Sequence, residues 1–326
     1  MAPQTRNLTK RNSGLKGVVH PLVSILINNY NYAPFLGEAI ESALAQTYDN
    51  VEVIVVDDGS TDSSRALIAQ YGNRIVAVMK QNGGQASAFN AGFAASKGDI
   101  ICFLDSDDLF LPDKVSTIEQ IFHDSPQSGW CFDRVYEFDN QTGKRYTPIP
   151  ECRFGSWDAR ATTATGMAPY LPTATSGLSF RRSTLALMLP MPEIIRITSD
   201  GYLKLVALGL TAGWMASQEL SLQRIHGENA YTRRKNGNIS VMGLNGVLTG
   251  VCVYEQFPTL RRLAITMFAR GLGTCWITGV SSLEYGKVSG SFLRRVPLRI
   301  KAEILLRSIY SGARFLFRSV ETTYGN

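Results

Sequence analysis

Histidine is scarce in this chain: His20, His123 and His226 are the only three in 326 residues. His20 lies in a polar N-terminal stretch and His123 near the end of a helical run, which leaves His226 as either a ligand to a metal or phosphate or a plain hydrogen-bonded residue. Cysteine pairs are missing as well. Cys102, Cys131, Cys152, Cys252 and Cys275 are odd in number, widely spaced and without a C-x-x-C. That excludes a zinc ribbon or disulfide framework and suits a reducing compartment. No stretch approaches the roughly 18 uninterrupted apolar residues of a membrane span. Residues 1–20 are polar and basic, without the apolar core of a secretory signal. The net charge of +6 is mild, and no dense basic stripe crosses the first two-thirds, so a nucleic-acid partner is not expected. A phosphorylated substrate or an anionic surface fits this excess better. The expectation is a cytoplasmic protein, soluble or held at the inner face of a membrane. What the chain does have is 44% hydrophobic and 10% aromatic residues, enough to bury a large core.

Apolar runs of strand length recur near the N-terminus. Leu22–Asn28, Val51–Val56, 74–79 and Ile100–Leu104 read as strands, separated by helical patterns over about 34–46, 62–71 and 85–96. Alternation of this kind predicts an α/β fold with a mainly parallel sheet flanked by helices. Each strand's following loop then opens on one rim, where such sheets bind ligands. The loops are unusual. Asn28-Asn29-Tyr30-Asn31 follows the first strand, Asp57-Asp58-Gly59-Ser60 the second, and Asp105-Ser106-Asp107-Asp108 the run at Ile100. Turn chemistry accounts for Gly59 and Ser60, but less well for adjacent acids. Carboxylates after one strand can accept hydrogen bonds from a nucleobase or ribose. Three acids after another repel one another and invite a hard divalent cation.

Further on, aromatic alternation between Gly129 and Arg153 predicts antiparallel strands. Residues 154–176 read as a loop and Ser176–Arg181 as a short strand. Ser199-Asp200 precedes a helical run, where Asp200 can serve the helix start, act as a base, or both. Gly213–Leu222 reads as a strand leading to Arg224-Ile225-His226, and residues beyond about 240 as helical.

As an ordered set, these motifs resemble the family 2 glycosyltransferases of the GT-A fold. The match runs from Val23 through Glu41-Ser42-Ala43-Leu44-Ala45-Gln46-Thr47, Val55-Val56-Asp57-Asp58-Gly59-Ser60, Asn82-Gly83-Gly84 and Asn90-Ala91-Gly92 to Asp105-Ser106-Asp107-Asp108, with weaker matches at Asp200 and His226. The resemblance implies a metal-dependent, inverting transfer from a nucleotide-sugar donor, a UDP-, dTDP- or GDP-sugar, to a glycan or lipid-linked acceptor in surface polysaccharide or glycoconjugate assembly. It implies donor nucleotide contacts from Asn28, Tyr30, Asn31, Asp57, Asp58, Asn82, Gly83, Asp105 and Ser106, and a donor-sugar contact from Asp108. Asp105, Asp107 and His226 would hold Mn²⁺ or Mg²⁺, and Asp200 would be the catalytic base. Two departures stand out: Asn28-Asn29 occupies a loop where the family often has proline, and Ser199 replaces a glutamate often found before the base.

The implied division is a tail over 1–20, a GT-A domain over 21–235 with nucleotide (21–110) and acceptor (111–235) halves, and a basic helical region over 236–326. Within 292–318, arginines interleave with Leu298, Leu305, Leu306 and Ile309, a pattern of an amphipathic helix that packs on the domain or lies on a membrane. Two rival classes stay open. A sugar-phosphate nucleotidyltransferase would need a basic, glycine-rich triphosphate loop that is absent near the N-terminus. A non-catalytic sugar-nucleotide-binding protein would have no need of Asp105, Asp107 and Asp200.

Overall fold

A computed structural model of the chain describes residues 20–146, 153–227, 229, 238–280 and 283–324. The proposed tail over 1–19 and Cys152 lie outside them. The elements are, in order, β1 (Val23–Asn29), α1 (Ala33–Leu44), β2 (Val51–Asp57), α2 (Ser64–Gln70), β3 (Val76–Met79), α3 (Gln85–Ala95), β4 (Ile100–Asp105), β5 (Leu109–Phe110), α4 (Lys114–Asp124), β6 (Trp130–Asp139), β7 (Arg145–Tyr146), β8 (Gly155–Trp157), α5 (Arg160–Ala164), β9 (Leu178–Arg181), α6 (Arg182–Leu185), α7 (Asp200–Leu210), β10 (Gly213–Ile225), α8 (Asn238–Gln256), α9 (Arg261–Thr278), α10 (Leu283–Arg295) and α11 (Leu298–Tyr324).

The strands form one sheet in the order β3-β2-β1-β4-β9-β6-β10-β5, with β7 added to β6 and β8 to β10. From β3 to β4 every pairing is parallel. Past β4 the sheet is mixed: β9 runs antiparallel to both β4 and β6, while β6 and β10 are parallel. The parallel half explains why β1, β2 and β4 are apolar throughout. Leu26, Ile54, Val56, Ile101 and Phe103 face a core shared with α3 and α7. Ile25, Ile27, Val53, Val55, Cys102 and Leu104 face a second core under α1 and α4. Strands covered on both faces have no side to expose polar residues on.

Two readings change. The stretch 154–176 holds β8 and α5 rather than loop alone. The expected antiparallel character after Gly129 holds for β7 and β9, but the long β6 also carries β10 in parallel. The described cysteines are all free.

The C-terminal helices are tied to the sheet. Val253 of α8 and Ala264 of α9 enter the core that contains α7. Helices α8 and α9 approach closely at glycines: a methyl group on Gly250 would lie 2.7 Å from the Phe268 nitrogen. A third core joins α8, α9, α10 and α11 through Val247, Phe268, Phe292 and Ile304. No helix among the described residues is long and apolar enough to cross a membrane.

Candidate active site

The register of the parallel strands gathers the polar loops. Asn28 at the end of β1 lies opposite Asp105 of β4, and Asn29 opposite Asp57 of β2. Beyond these strand ends lies a cleft of ≈ 580 Å³, within the usual range for small-molecule sites. Asn28, Tyr30, Asp58, Asn82, Asp105, Ser106, Asp107 and Asp200 line it. These residues come from segments up to 172 positions apart, from Asn28 to Asp200, which parallel crossovers place on one rim.

Asp57 stands behind the wall. It is fully buried and accepts hydrogen bonds from Asn29, from the Ser60 amide and from Arg65 at 2.8 Å. Burial opposes its charge, but the bonds from Ser60, Arg65 and Asn29 outweigh it and hold the carboxyl below its ordinary value. Asp58 reaches the cleft, yet its carboxylate is engaged: Lys80 donates at 2.5 Å, the Gly83 amide at 2.9 Å and the Gly84 amide at 2.7 Å. Asp58 therefore shapes the turn at Asn82-Gly83-Gly84. That turn needs glycine at 84, where φ is +87° and a side chain would meet the Arg196 carbonyl at 2.7 Å. Asn31 is likewise a structural residue, its side-chain oxygen accepting from the Thr61 amide at 2.7 Å.

Asp105 and Asp107 sit differently. Asn28 donates to Asp105 at 2.9 Å, and the Asp105 amide donates to Ser176 Oγ at 3.1 Å. No cation faces Asp105 among the described residues. Burial and then the charge on Asp107 push its carboxyl up to about 7, against the hydrogen bonds from Asn28 and Thr175. Asp107 pairs with His226 Nε2 at 3.1 Å, and His226 packs against Phe35 with ring centroids 4.3 Å apart.

Asp108 corrects an expectation. It turns inward instead of toward a donor sugar: it is 2% exposed, accepting from Ser176 Oγ at 2.5 Å and from the Arg224 amide at 3.0 Å. Burial, with Asp107 and Asp105 close by, raises its carboxyl well above the ordinary range. Asp108 is thus a tie between the acidic loop, β10 and the turn before β9. Arg224 belongs to the same tie. It donates to the Asp107 carbonyl and to Glu38, between the rings of Phe35 and Phe138.

The donor set at the strand ends fits a hard divalent cation. Such ions take one or two carboxylates and complete their shell with water and substrate phosphates, and Asp105 and Asp107 offer two carboxylates whose charges oppose each other. His226 Nε2 lies on Asp107 beside these carboxylates, and no group of three His, Cys, Asp or Glu side chains is gathered for a metal among the described residues.

Asp200 opens α7 at the cleft, close enough for its charge to add to the rise at Asp105. Lys204, one turn on, holds its carboxylate at 2.8 Å and also donates to the Thr173 carbonyl. Sequence reasoning missed Gln85, Thr173–Thr175, Arg196, Thr198 and Asn229, all of which line the cleft. Gln85 follows a turn that was visible and Asn229 lies just beyond His226, but the others sit in stretches without any periodic or motif signal.

An α/β sheet whose rim gathers acids around a cleft is the frame of this site, and comparison with known proteins places the class. Residues 24–183 match the model of glycosyl transferase family 2, and the chain belongs to that family through them. An uncharacterized glycosyltransferase of a Nostoc species is 38% identical over 215 residues, covering 64% of this chain and 66% of that protein. Another from Rickettsia typhi is 50% identical over 95 residues, covering 29% of this chain and 30% of that protein. The matches thus span less than two thirds of either relative's length. Among solved structures, Staphylococcus aureus TarS 1-349 in complex with UDP-GlcNAc superposes with a TM-score of 0.61 at 18% identity, covering 93% of this chain and 91% of that one. At that identity the likeness is one of fold.

Proposed function

We propose that this protein is an inverting glycosyltransferase that moves a sugar from a nucleoside diphosphate to a hydroxyl group of a glycan or lipid-linked acceptor. The observation that carries this reading is the convergence, on one cleft, of the mutually repelling Asp105–Asp107 pair and the lysine-held Asp200. The donor's base and ribose lie along β1 and β2. There Asn28 and Asn29 each leave a buried side-chain oxygen without a partner among the described residues, acceptors that a ligand's N–H or O–H would satisfy. Asp105 and Asp107 would hold Mn²⁺ or Mg²⁺, which when bound supplies positive charge against the diphosphate. Asp200 takes the proton from the acceptor hydroxyl. The acceptor oxygen bonds to the anomeric carbon as the bond to the diphosphate oxygen breaks on the opposite face, and the nucleoside diphosphate departs. A carboxylate in this role contributes on the order of 10²–10⁴ in rate. Turnover of a panel of UDP-, dTDP- and GDP-sugars tests the reading. Asp200→Asn lowers kcat by that order while nucleoside diphosphate affinity stays the same, and a fully active variant would remove Asp200 from the role.

The site of action proposed is an anionic membrane surface. Helix α11 packs on α9 by one face, yet Leu298, Leu305, Leu306, Ile309 and Tyr310 are each more than half exposed on another. Among the described residues no ion pair engages Arg294, Arg299, Lys301 or Arg314 nearby. A second apolar face with free cations at its margins matches a lipid interface. The full chain sediments with anionic vesicles and not with neutral ones, and Leu305→Glu with Ile309→Glu abolishes this. Equal sedimentation of both proteins would refute the assignment.

A further inference from the structure

The segment between Met191 and Asp200 forms one wall of the cleft through Arg196, Ile197 and Thr198. Its backbone is unusual. Thr198 has φ of +47°, in the left-handed region that a β-branched residue rarely enters. Such a conformation persists only where its surroundings hold it. One holder is α3: Gln85 donates its amide to the Arg196 carbonyl at 2.8 Å, and its side-chain oxygen accepts from the Ser199 amide at 2.8 Å. The other comes from the C-terminal region. Asn245, in the middle of α8, donates to the Ile197 carbonyl at 2.6 Å and to Thr198 Oγ1.

From this geometry we infer that Asn245 is a positioning residue for the proposed transfer. It clasps the left-handed turn at Thr198, setting Arg196 in the cleft wall and the start of α7 at Asp200. The inference rests on the function proposed above, and it gives the C-terminal helices a task at the active site. Their rigidity suits that task. Helix α8 is locked against α9 where Gly246 meets Gly271 and where Gly250 meets Phe268, and Tyr202 of α7 donates to Gln256 at the end of α8 at 2.7 Å. The clasp spans two elements fixed in the same core. With it released, Ile197 loses an acceptor's partner, and Thr198 loses the contact that offsets its backbone conformation. Arg196 then drifts from Asn82, to which it donates at 2.9 Å on the donor side of the cleft.

The test is Asn245→Ala, read by hydrogen exchange and by kinetics. Amides of 197–201 exchange at least tenfold faster while those of β1, β2 and β4 are unchanged, and kcat falls about tenfold or more. Adding Thr198→Asn, a residue that enters the left-handed region more readily, recovers part of the lost kcat and slows exchange again. A general structural role would move the melting temperature without that rescue. Unchanged exchange at 197–201 in Asn245→Ala, or no recovery in the double variant, overturns the inference. If Asn245→Ala does not fold, Asn245→Ser supports the same comparisons. Exchange and rescue of the turn are read whether or not the protein transfers sugar, so failure of the clasp and failure of the proposed activity give different results.

Discussion

Two loops of this protein have the same local grammar, an apolar strand ending in acids, and opposite electrostatics. After β2, Asp57 and Asp58 meet Arg65, Lys80 and four backbone or side-chain donors. After β4, Asp105 and Asp107 meet the neutral donors Asn28, Thr175 and Asn229 and one histidine, with each other's charge added. The first loop has its countercharge built in and holds the shape of the cleft. The second is left short of countercharge at the place where a cation and a diphosphate would supply it. Identical residue types thus divide into framework and site according to what faces them.

The sharpest way to break this comparison is to remove one acid from the site loop. Asp107→Ala lowers turnover by at least about 10² while the melting temperature holds or rises, because a repulsive charge has gone. Normal turnover, followed by product release with and without Mn²⁺, would end the distinction. Next in size, Lys80→Met strips the framework loop of a charge-assisted bond to a buried carboxylate and costs about 1–3 kcal/mol of stability, read by denaturant unfolding. A neutral result would mean that Asp58 does not depend on its lysine.

The smallest expected effect is on the pH dependence. Asp57 lies below its ordinary value of 3.8, so its contribution is complete above that pH and is lost as the pH falls through its native value. Asp105, held up to about 7, behaves in the opposite sense. The unfolded chain releases that proton near 3.8, the native state keeps it, and stability falls as the pH climbs between the two values. Asp105→Asn therefore melts about 2–5 °C above the parent protein at pH 8, with the difference vanishing near pH 4. A pH-independent difference would show that Asp105 carries no such burden.

Much of this was legible beforehand. The strands at Val23, Val51 and Ile100, the helices between them and the acids at their ends follow from period and punctuation. Arg224 and His226 were visible at the end of a strand, but not that Arg224 would be buried between Phe35 and Phe138. Asp108 shows the limit most plainly. It is adjacent to Asp107 and of the same type, yet it turns the other way, because Ser176 and the Arg224 amide arrive from 68 and 116 residues downstream to bind it.

By itself the sequence determined the parallel half of the sheet, the rim on which its loops open, and the residue types gathered there, since these depend on local patterning and on the handedness of crossovers. Only the tertiary structure decided which acids are neutralised and which are not. It also decided that Asp200 is held by Lys204, and that a residue of α8 supports a left-handed turn in the cleft wall. A carboxylate's role is set by the charges and hydrogen bonds within a few ångströms of it, and in this fold those neighbours come from distant parts of the chain.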